Sequence, residues 1–318
     1  MSDSVQIVEI DADSEGQRVD NVLIRLLKGV PKSRIYRIVR KGEVRLNGGR
    51  VKADTRVKGG DLLRIPPVRM ADPGEPVRMP DRVINILNNS IIYEDNRMLI
   101  INKPAGLAVH GGSGISSGVI EGLRQLRPQD KSLELVHRLD RGTSGCLMIA
   151  KKRSHLRRLQ ALLRSKSEGE KTRFEKHYVA IVHGEWPKRR QHVDVPIRKD
   201  TLKGGGGVCV VAVDGKPSLT EVDVIRQNKT YSLLAVRPIT GRTHQIRVHC
   251  RHLKHPVVGD DKYGNELLDR QLKGLLGHDR LMLHAAELRI PGFEKGEKAI
   301  HVRAEPDTDM LKFMDSIS

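Results

Sequence analysis

Aromatic residues are scarce in this chain: Trp, Tyr and Phe make up 3% of its 318 residues. The core must therefore be aliphatic, and a tyrosine among polar neighbours stands out. The three cysteines, Cys146, Cys209 and Cys250, are odd in number and far apart. That excludes a disulfide framework or a cysteine zinc site and leaves free, packed thiols. No apolar run nears the roughly 20 residues a membrane-spanning helix needs; Val208 to Val213 is among the longest. The start, Met1-Ser2-Asp3-Ser4, has neither the basic residues nor the apolar stretch of a signal peptide. A cytoplasmic protein without a membrane partner is expected. Several chemical signatures are missing too. There is no Gly-x-x-x-x-Gly-Lys-Ser/Thr loop for a nucleotide triphosphate, and Gly111-Gly112-Ser113-Gly114 lacks the Lys-Ser/Thr that would follow. There is no Gly-x-Gly-x-x-Gly after a strand for a dinucleotide or methyl donor, and no Gly-x-Ser-x-Gly elbow. His244, His249, His252 and His255 cluster, but among Arg242, Arg247, Arg251 and Lys254, which repel a cation. No metal and no cofactor are expected.

What is abundant is positive charge. Lys plus Arg number 57 and Asp plus Glu 39, a net charge of +18. Between Gly16 and Arg69 there are 15 basic and 4 acidic residues, so 54 residues carry +11 of it. Charge of that density calls for a polyanionic partner, and nucleic acid fits best. This segment also has its own pattern. Gly16 to Lys28 predicts an amphipathic helix with Val19, Val22, Leu23, Leu26 and Leu27 on one face. Pro31-Lys32-Ser33 opens a second helix, with Ser33 a candidate cap and Ile35, Ile38 and Val39 apolar. Short alternating runs follow, turned at Asn47-Gly48-Gly49 and Lys58-Gly59-Gly60-Asp61. Arg34, Arg37, Arg40 and Lys41 gather near the second helix as a candidate RNA contact.

Five prolines between Pro66 and Asp81 read as an extended linker. The division expected is 1–69 for the basic domain, 70–82 for the linker and 83–318 for a larger domain. In that larger part, strands are predicted at Ile91 to Tyr93, Met98 to Asn102, Cys146 to Ala150, Lys176 to Val182, Val208 to Val213, Ser232 to Val236 and Gln245 to His249. Helices are predicted at Ser117 to Arg127 and Ser154 to Arg164. Gly204 to Gly207 reads as a loop tip. The fold class is α+β, since the strands lie close in sequence with few long crossovers.

Three polar constellations could carry chemistry. In His137 to Gly145, Asp140 lies between Arg138 and Arg141 on a tight loop leading into a strand. The arginines would keep it ionised and meet phosphates, or Asp140 simply caps a turn. In Lys176 to Gly184, strand alternation puts Tyr178, Ala180 and Val182 on one face. Tyr178 is either a core aromatic or a platform for a nucleobase. In Thr240 to His249, Gln245, Arg247 and His249 would share the polar face of a strand. That face is a cleft wall, with Arg247 facing a carboxylate, or an exposed basic surface.

Taken together these stretches resemble a known family. His137-Arg138-Leu139-Asp140-Arg141-Gly142-Thr143-Ser144-Gly145 resembles the central motif of RluA-type pseudouridine synthases, which act on ribosomal and transfer RNA. Ile101 to His110 is similar to their Asn-Lys-Pro motif, Lys176 to Gly184 to their tyrosine motif, and Gly241 to His249 to their Gly-Arg-Thr-His-Gln motif. Leu283-His284-Ala285-Ala286 is similar to a late Leu-His-Ala element. Gly16 to Asp20, Ser33 to Ile35 and Gly42 to Gly48 resemble an S4-like RNA-binding domain.

The resemblance implies a small S4-like α/β domain ahead of a catalytic domain with a central mixed, largely antiparallel sheet flanked by helices. It implies a monomer that isomerises uridine to pseudouridine in RNA, 23S large-subunit ribosomal RNA or its precursor particle, without a cofactor. Asp140 would be the nucleophile, or the base that starts an elimination. Arg247, or failing that Arg242, would pair with it, and Tyr178 would stack on the uracil and help remove the carbon 5 proton. Arg138 would fill the gap left by the extruded base, with Arg141, Arg242 and His244 also on the RNA. The competing readings are a non-catalytic ribosome-assembly factor and a methyltransferase carrying the same RNA-binding domain.

Overall fold

The computed structural model describes residues 4–27, 29–68, 78–111, 117–165, 174–201, 207–265, 267–270, 274, 279–293 and 296–317. The chain forms two compact units, 1–77 and 78–318.

In the first unit, β1 (Gln6–Glu9), α1 (Val19–Leu26), α2 (Lys32–Arg40), β2 (Arg45–Leu46), β3 (Gly49–Arg50) and β4 (Leu62–Ile65) follow one another. The strands make an antiparallel sheet in the order β1-β4-β2-β3. The aliphatic stripes foreseen for the helices bury together: Val19, Val22, Leu23 and Leu27 pack with Ile35, Ile38, Val39, Leu63 and Ile65. Pro31, not Ser33, occupies the N-cap position of α2, and no side chain caps it; Ser33 lies inside the first turn. Proline suits this place because it has no N–H to leave unpaired. The proline-rich stretch is only partly a linker. Val68 is buried in the first unit and Met79 in the core of the second, while 69–77 lie outside the described residues.

The second unit is built on one ten-stranded sheet. Its elements are α3 (Asp81–Asn89), β5 (Ile91–Glu94), β6 (Met98–Lys103), α4 (Val119–Leu126), β7 (Glu134–Leu135), β8 (Ser144–Ala150), α5 (Arg153–Arg164), β9 (Glu175–His183), β10 (Arg190–Asp194), β11 (Ile197–Thr201), β12 (Gly207–Val211), β13 (Leu219–Gln227), β14 (Tyr231–Pro238), α6 (Gln245–His252), β15 (Leu283–Ile290), β16 (Ile300–Arg303) and α7 (Thr308–Asp315). The strand order is β10-β13-β14-β9-β15-β8-β6-β5, with β16 on β15 and β7 on β8. Every pairing is antiparallel except β15 with β8. The fold is α+β, a mixed sheet with helices against it. β8 is buried along its whole length, as a strand covered on both faces must be. The alternation of β6 divides the packing: Leu99 and Ile101 join α3 and α4, while Met98 and Ile100 face α5. β11 and β12 form a separate hairpin.

One element departs from expectation. Gln245 to His249 is helix α6, not a strand. Apolar residues at 246, 248 and 250 alternate as in a strand, yet here they serve two neighbours. Ile246 and Cys250, one turn apart, pack on the sheet, and Val248 packs on the hairpin and Tyr263. A short run buried on two sides fits either periodicity, and the packing decides. Of the expected loop tip, 204–206 lie outside the described residues and Gly207 begins β12. No helix of the described residues is long and apolar enough to cross a membrane.

Candidate active site

Asp140 sits on the loop entering β8. That loop is held from below. Lys103, at the end of β6 and fully buried, donates from Nζ to the carbonyls of Pro104 and Leu107 at 2.8 Å and of Arg141 at 3.2 Å. The Gly106 N–H also reaches the Arg141 carbonyl, and Arg141 Nε returns a bond to the Gly106 carbonyl, both at 2.9 Å. The Asn-Lys-Pro stretch thus braces the aspartate loop. Burial, followed by the nearby charge of Arg280, lowers the Lys103 pKa to about 7, with Asp140 opposing. Immediately downstream, Gly145 has φ +105°, and a Cβ there would fall 2.2 Å from the Ala285 carbonyl oxygen. Only glycine lets β8 and β15 approach at that point.

The sheet order carries Tyr178 to the same place. β9 and β8 flank β15, pairing with it at Val179–His284 and Ser144–His284. Tyr178 packs against core residues on both sides. Burial raises its phenol pKa well above the ordinary value, and the charge of Asp140 adds to that. The phenol is therefore neutral at physiological pH.

Arg247 reaches Asp140 from α6. Its Nη1 lies 3.1 Å from Asp140 Oδ2. The rest of the guanidinium is already engaged: Nε and Nη2 donate to the two oxygens of Asp260 at 2.7 and 2.6 Å, and Nη2 to Asp261 Oδ1 at 2.8 Å. Such a planar fork suits bidentate carboxylate binding. The Arg247 pKa is raised by these partners against the burial, so the cation persists at any working pH. The Arg247 side chain is 5% exposed and that of Asp140 19%. With Oδ2 held, Asp140 Oδ1 has no hydrogen-bond partner among the described residues.

The other expected residues separate into those near the carboxylate and those that turn away. His244, the N-cap residue of α6 with φ 55°, places Nε2 at 3.8 Å from Asp140 Oδ2. Arg242 does not pair with Asp140; its Nε donates to the Pro217 carbonyl. Nor do the flanking arginines hold Asp140: Arg141 turns to Gly106, and exposed Arg138 has no ion pair among the described residues. His137 accepts the Met148 N–H on Nε2, and burial lowers its pKa to about 3. Gln245 and His249 do not share a face with Arg247. Gln245 ties Thr240, Thr220 and the Arg242 N–H together, and His249 bonds the Val195 carbonyl. The histidines do not converge, and no group of three or more potential metal ligands occurs among the described residues. On α2, Arg34, Arg37, Arg40 and Lys41 lie on the side away from buried Ile35, Ile38 and Val39.

Sequence reasoning missed Asp260 and Tyr263. The signal was the polar turn Gly259-Asp260-Asp261-Lys262-Tyr263-Gly264, whose aspartate is fully buried in the folded protein.

Known proteins match the chain over both of its units. Residues 97–252 match the model of the RNA pseudouridylate synthase family and residues 17–63 that of the S4 domain. Over 316 residues the chain is 47% identical to ribosomal large subunit pseudouridine synthase C of Escherichia coli (strain K12), covering 99% of this chain and 97% of that protein. This chain belongs to the RNA pseudouridylate synthase family. The synthase is also 49% identical over 295 residues to the protein of the same name from Yersinia pestis, covering 92% of this chain and 90% of that one. Among solved structures, human RNA pseudouridylate synthase domain containing 4 superposes with TM-score 0.60 at 25% identity, covering 74% of the synthase and 96% of that chain. The resemblance carried by the five motifs is thereby established, and the chain is an RNA pseudouridine synthase with an S4 domain.

Proposed function

We propose that the protein converts specific uridines of large-subunit (23S) ribosomal RNA, free or in a precursor particle, to pseudouridine, with Asp140 starting the reaction and no cofactor taking part. The relatives from Escherichia coli and Yersinia pestis carry names that state this class of substrate. The observation that bears most weight is the Asp140 carboxylate, one oxygen fixed at 3.1 Å by buried Arg247 and the other open. A carboxylate held by one oxygen and open at the other is what either route requires. Oδ1 attacks the ribose and is later displaced by carbon 5, or it takes a proton from the ribose, starts an elimination and returns that proton as carbon 5 adds. The bond from ribose to uracil nitrogen 1 breaks, the base turns, and carbon 5 takes nitrogen 1's place. Carbon 5 loses a proton and nitrogen 1 gains one, so the reaction is an isomerisation in balance.

Tyr178 offers its ring to the extruded uracil. As a neutral phenol it is a stacking and hydrogen-bonding surface before it is a base. Arg138, exposed beside Asp140, suits the gap in the RNA stack. Extruding a base costs on the order of a few kcal/mol, least in loops. The S4 domain, taken as 1–69, offsets this cost. Arg34, Arg37, Arg40 and Lys41 supply phosphate contacts there, and Arg141, Arg242 and His244 contact RNA near the site. The enzyme acts as a monomer, in the cytoplasm where ribosomes are made. Replacing Asp140 with Asn or Ala and mapping pseudouridine in 23S rRNA from cells carrying only that variant tests the proposal. Loss of one or more sites is expected; retention of every site would sink it.

A further inference from the structure

Tyr263 touches both groups that face Asp140. Its ring lies under Arg247, whose Cζ is 5.1 Å from the ring centroid. Its hydroxyl oxygen accepts the Cys209 N–H at 2.7 Å and lies 2.7 Å from His244 Nδ1. Tyr263 is 5% exposed, so the hydroxyl proton needs an acceptor inside the protein. Nδ1 of His244, at 2.7 Å, is the strong acceptor within reach; the Cys209 thiol beside the hydroxyl is a weak one. The hydroxyl therefore donates to Nδ1, and the neutral imidazole carries its hydrogen on Nε2. That nitrogen is the one 3.8 Å from Asp140 Oδ2.

The backbone is adapted to this arrangement. His244 has φ 55°, a left-handed conformation unfavourable for a residue with a Cβ, and such strain gathers at functional positions. The charged groups around the imidazole are Asp140 on the loop before β8, Arg247 on α6, and Asp260 and Lys262 on the turn that follows. Burial, the largest influence, lowers its pKa, and Asp140 acts against it.

Building on the isomerase reading above, we propose that Tyr263 is a positioning residue for the reaction: its ring carries the Arg247 cation, and its hydroxyl locks His244 with Nε2–H turned to the Asp140 carboxylate. Both donors then converge on Oδ2, and Oδ1 is left for the ribose. The distance of 3.8 Å is long for a hydrogen bond, and catalytic hydrogen bonds often tighten only once substrate is bound.

Nitrogen-15 NMR of histidine-labelled wild-type protein, without RNA, tests the lock directly. His244 should show an unprotonated Nδ1 and a protonated Nε2 near neutral pH. The opposite tautomer would overturn the proposal, whatever happens to any variant. Tyr263→Phe keeps the ring and removes the hydroxyl. It should lower kcat about tenfold with KM for RNA within about twofold, and mix the His244 tautomers. Tyr263→Leu, which also removes the ring, should lower kcat at least about tenfold further. Because the hydroxyl acts through His244, adding Tyr263→Phe to His244→Ala should cost nothing more. Unchanged kcat in Tyr263→Phe, or additive losses in the double variant, would count against it. Failure of the isomerase reading is seen separately, as full modification by Asp140→Asn.

Discussion

Arg247 holds Asp140 with one nitrogen, while Asp260 holds Arg247 with two. The cation is aimed before it meets the Asp140 carboxylate. Asp260, whose side chain is fully buried, also accepts the Lys262 and Tyr263 N–H groups. Arg247→Lys should keep the charge and lose the fork, lowering kcat by about 10²-fold or more, in line with small misplacements of catalytic groups. Arg247→Ala should also destabilise the fold by about 3–5 kcal/mol, because Asp260 is left buried without its partner. Urea denaturation beside single-turnover kinetics separates the two effects. Equal stability of the Lys and Ala variants would refute the anchoring role.

At Gly145 the predicted effect is on the fold first. Gly145→Ala forces β15 away from β8 at the entrance to the sheet and adds a Cβ at φ +105°. A loss of about 2–5 kcal/mol is expected, from overpacking and backbone strain together. A melting temperature like that of the wild type would contradict it.

Lys103 predicts a pH dependence of stability. Its folded-state pKa is lowered from 10.5 to about 7. Between those values the unfolded chain holds a proton that the folded one lacks, so stability rises with pH across this window and falls as pH drops toward 7. Below about 7 both states are protonated and the slope vanishes. The swing is on the order of a few kcal/mol. Lys103→Met should flatten it, as measured by denaturation at pH 7 and pH 9.5. A slope unchanged in the variant would assign the effect elsewhere.

The α2 cations predict a salt effect. Changing Arg34, Arg37 and Arg40 together to Gln should weaken RNA binding. It should also reduce the slope of log Kd against log salt by about 2, at roughly 0.7 per lost phosphate contact on single strands. Turnover on a short saturating RNA should hold. An unchanged slope would remove α2 from the RNA interface.

Much of the site was legible because its residues are local in sequence. Asp140 stands in a tight loop before a strand, and Tyr178 stands out in a chain with few aromatics. The helices of the S4 domain followed from apolar spacing, since one buried face imposes one period. The strand predicted at Gln245 to His249 failed because Ile246, Val248 and Cys250 are buried on two sides, where periodicity loses its meaning. Arg138 and Arg141 were expected to sustain the charge of Asp140 because they are its neighbours in the chain. The side chain that pairs with it is 107 positions away.

The sequence by itself determined the family and the basic charge of the N-terminal segment, and it singled out Asp140 as the candidate for the reaction. Those depend on residue type and short spacing. The resemblance already named Arg247 as the cation facing Asp140; tertiary structure alone decided which oxygen is left open, and that Asp260 and Tyr263 stand behind the pair. Those depend on burial and on strand order: β15 brings β8 and β9 together, and α6 is wedged against the sheet. A buried ion pair is specified by the packing that excludes water from it, and no stretch of sequence states that packing.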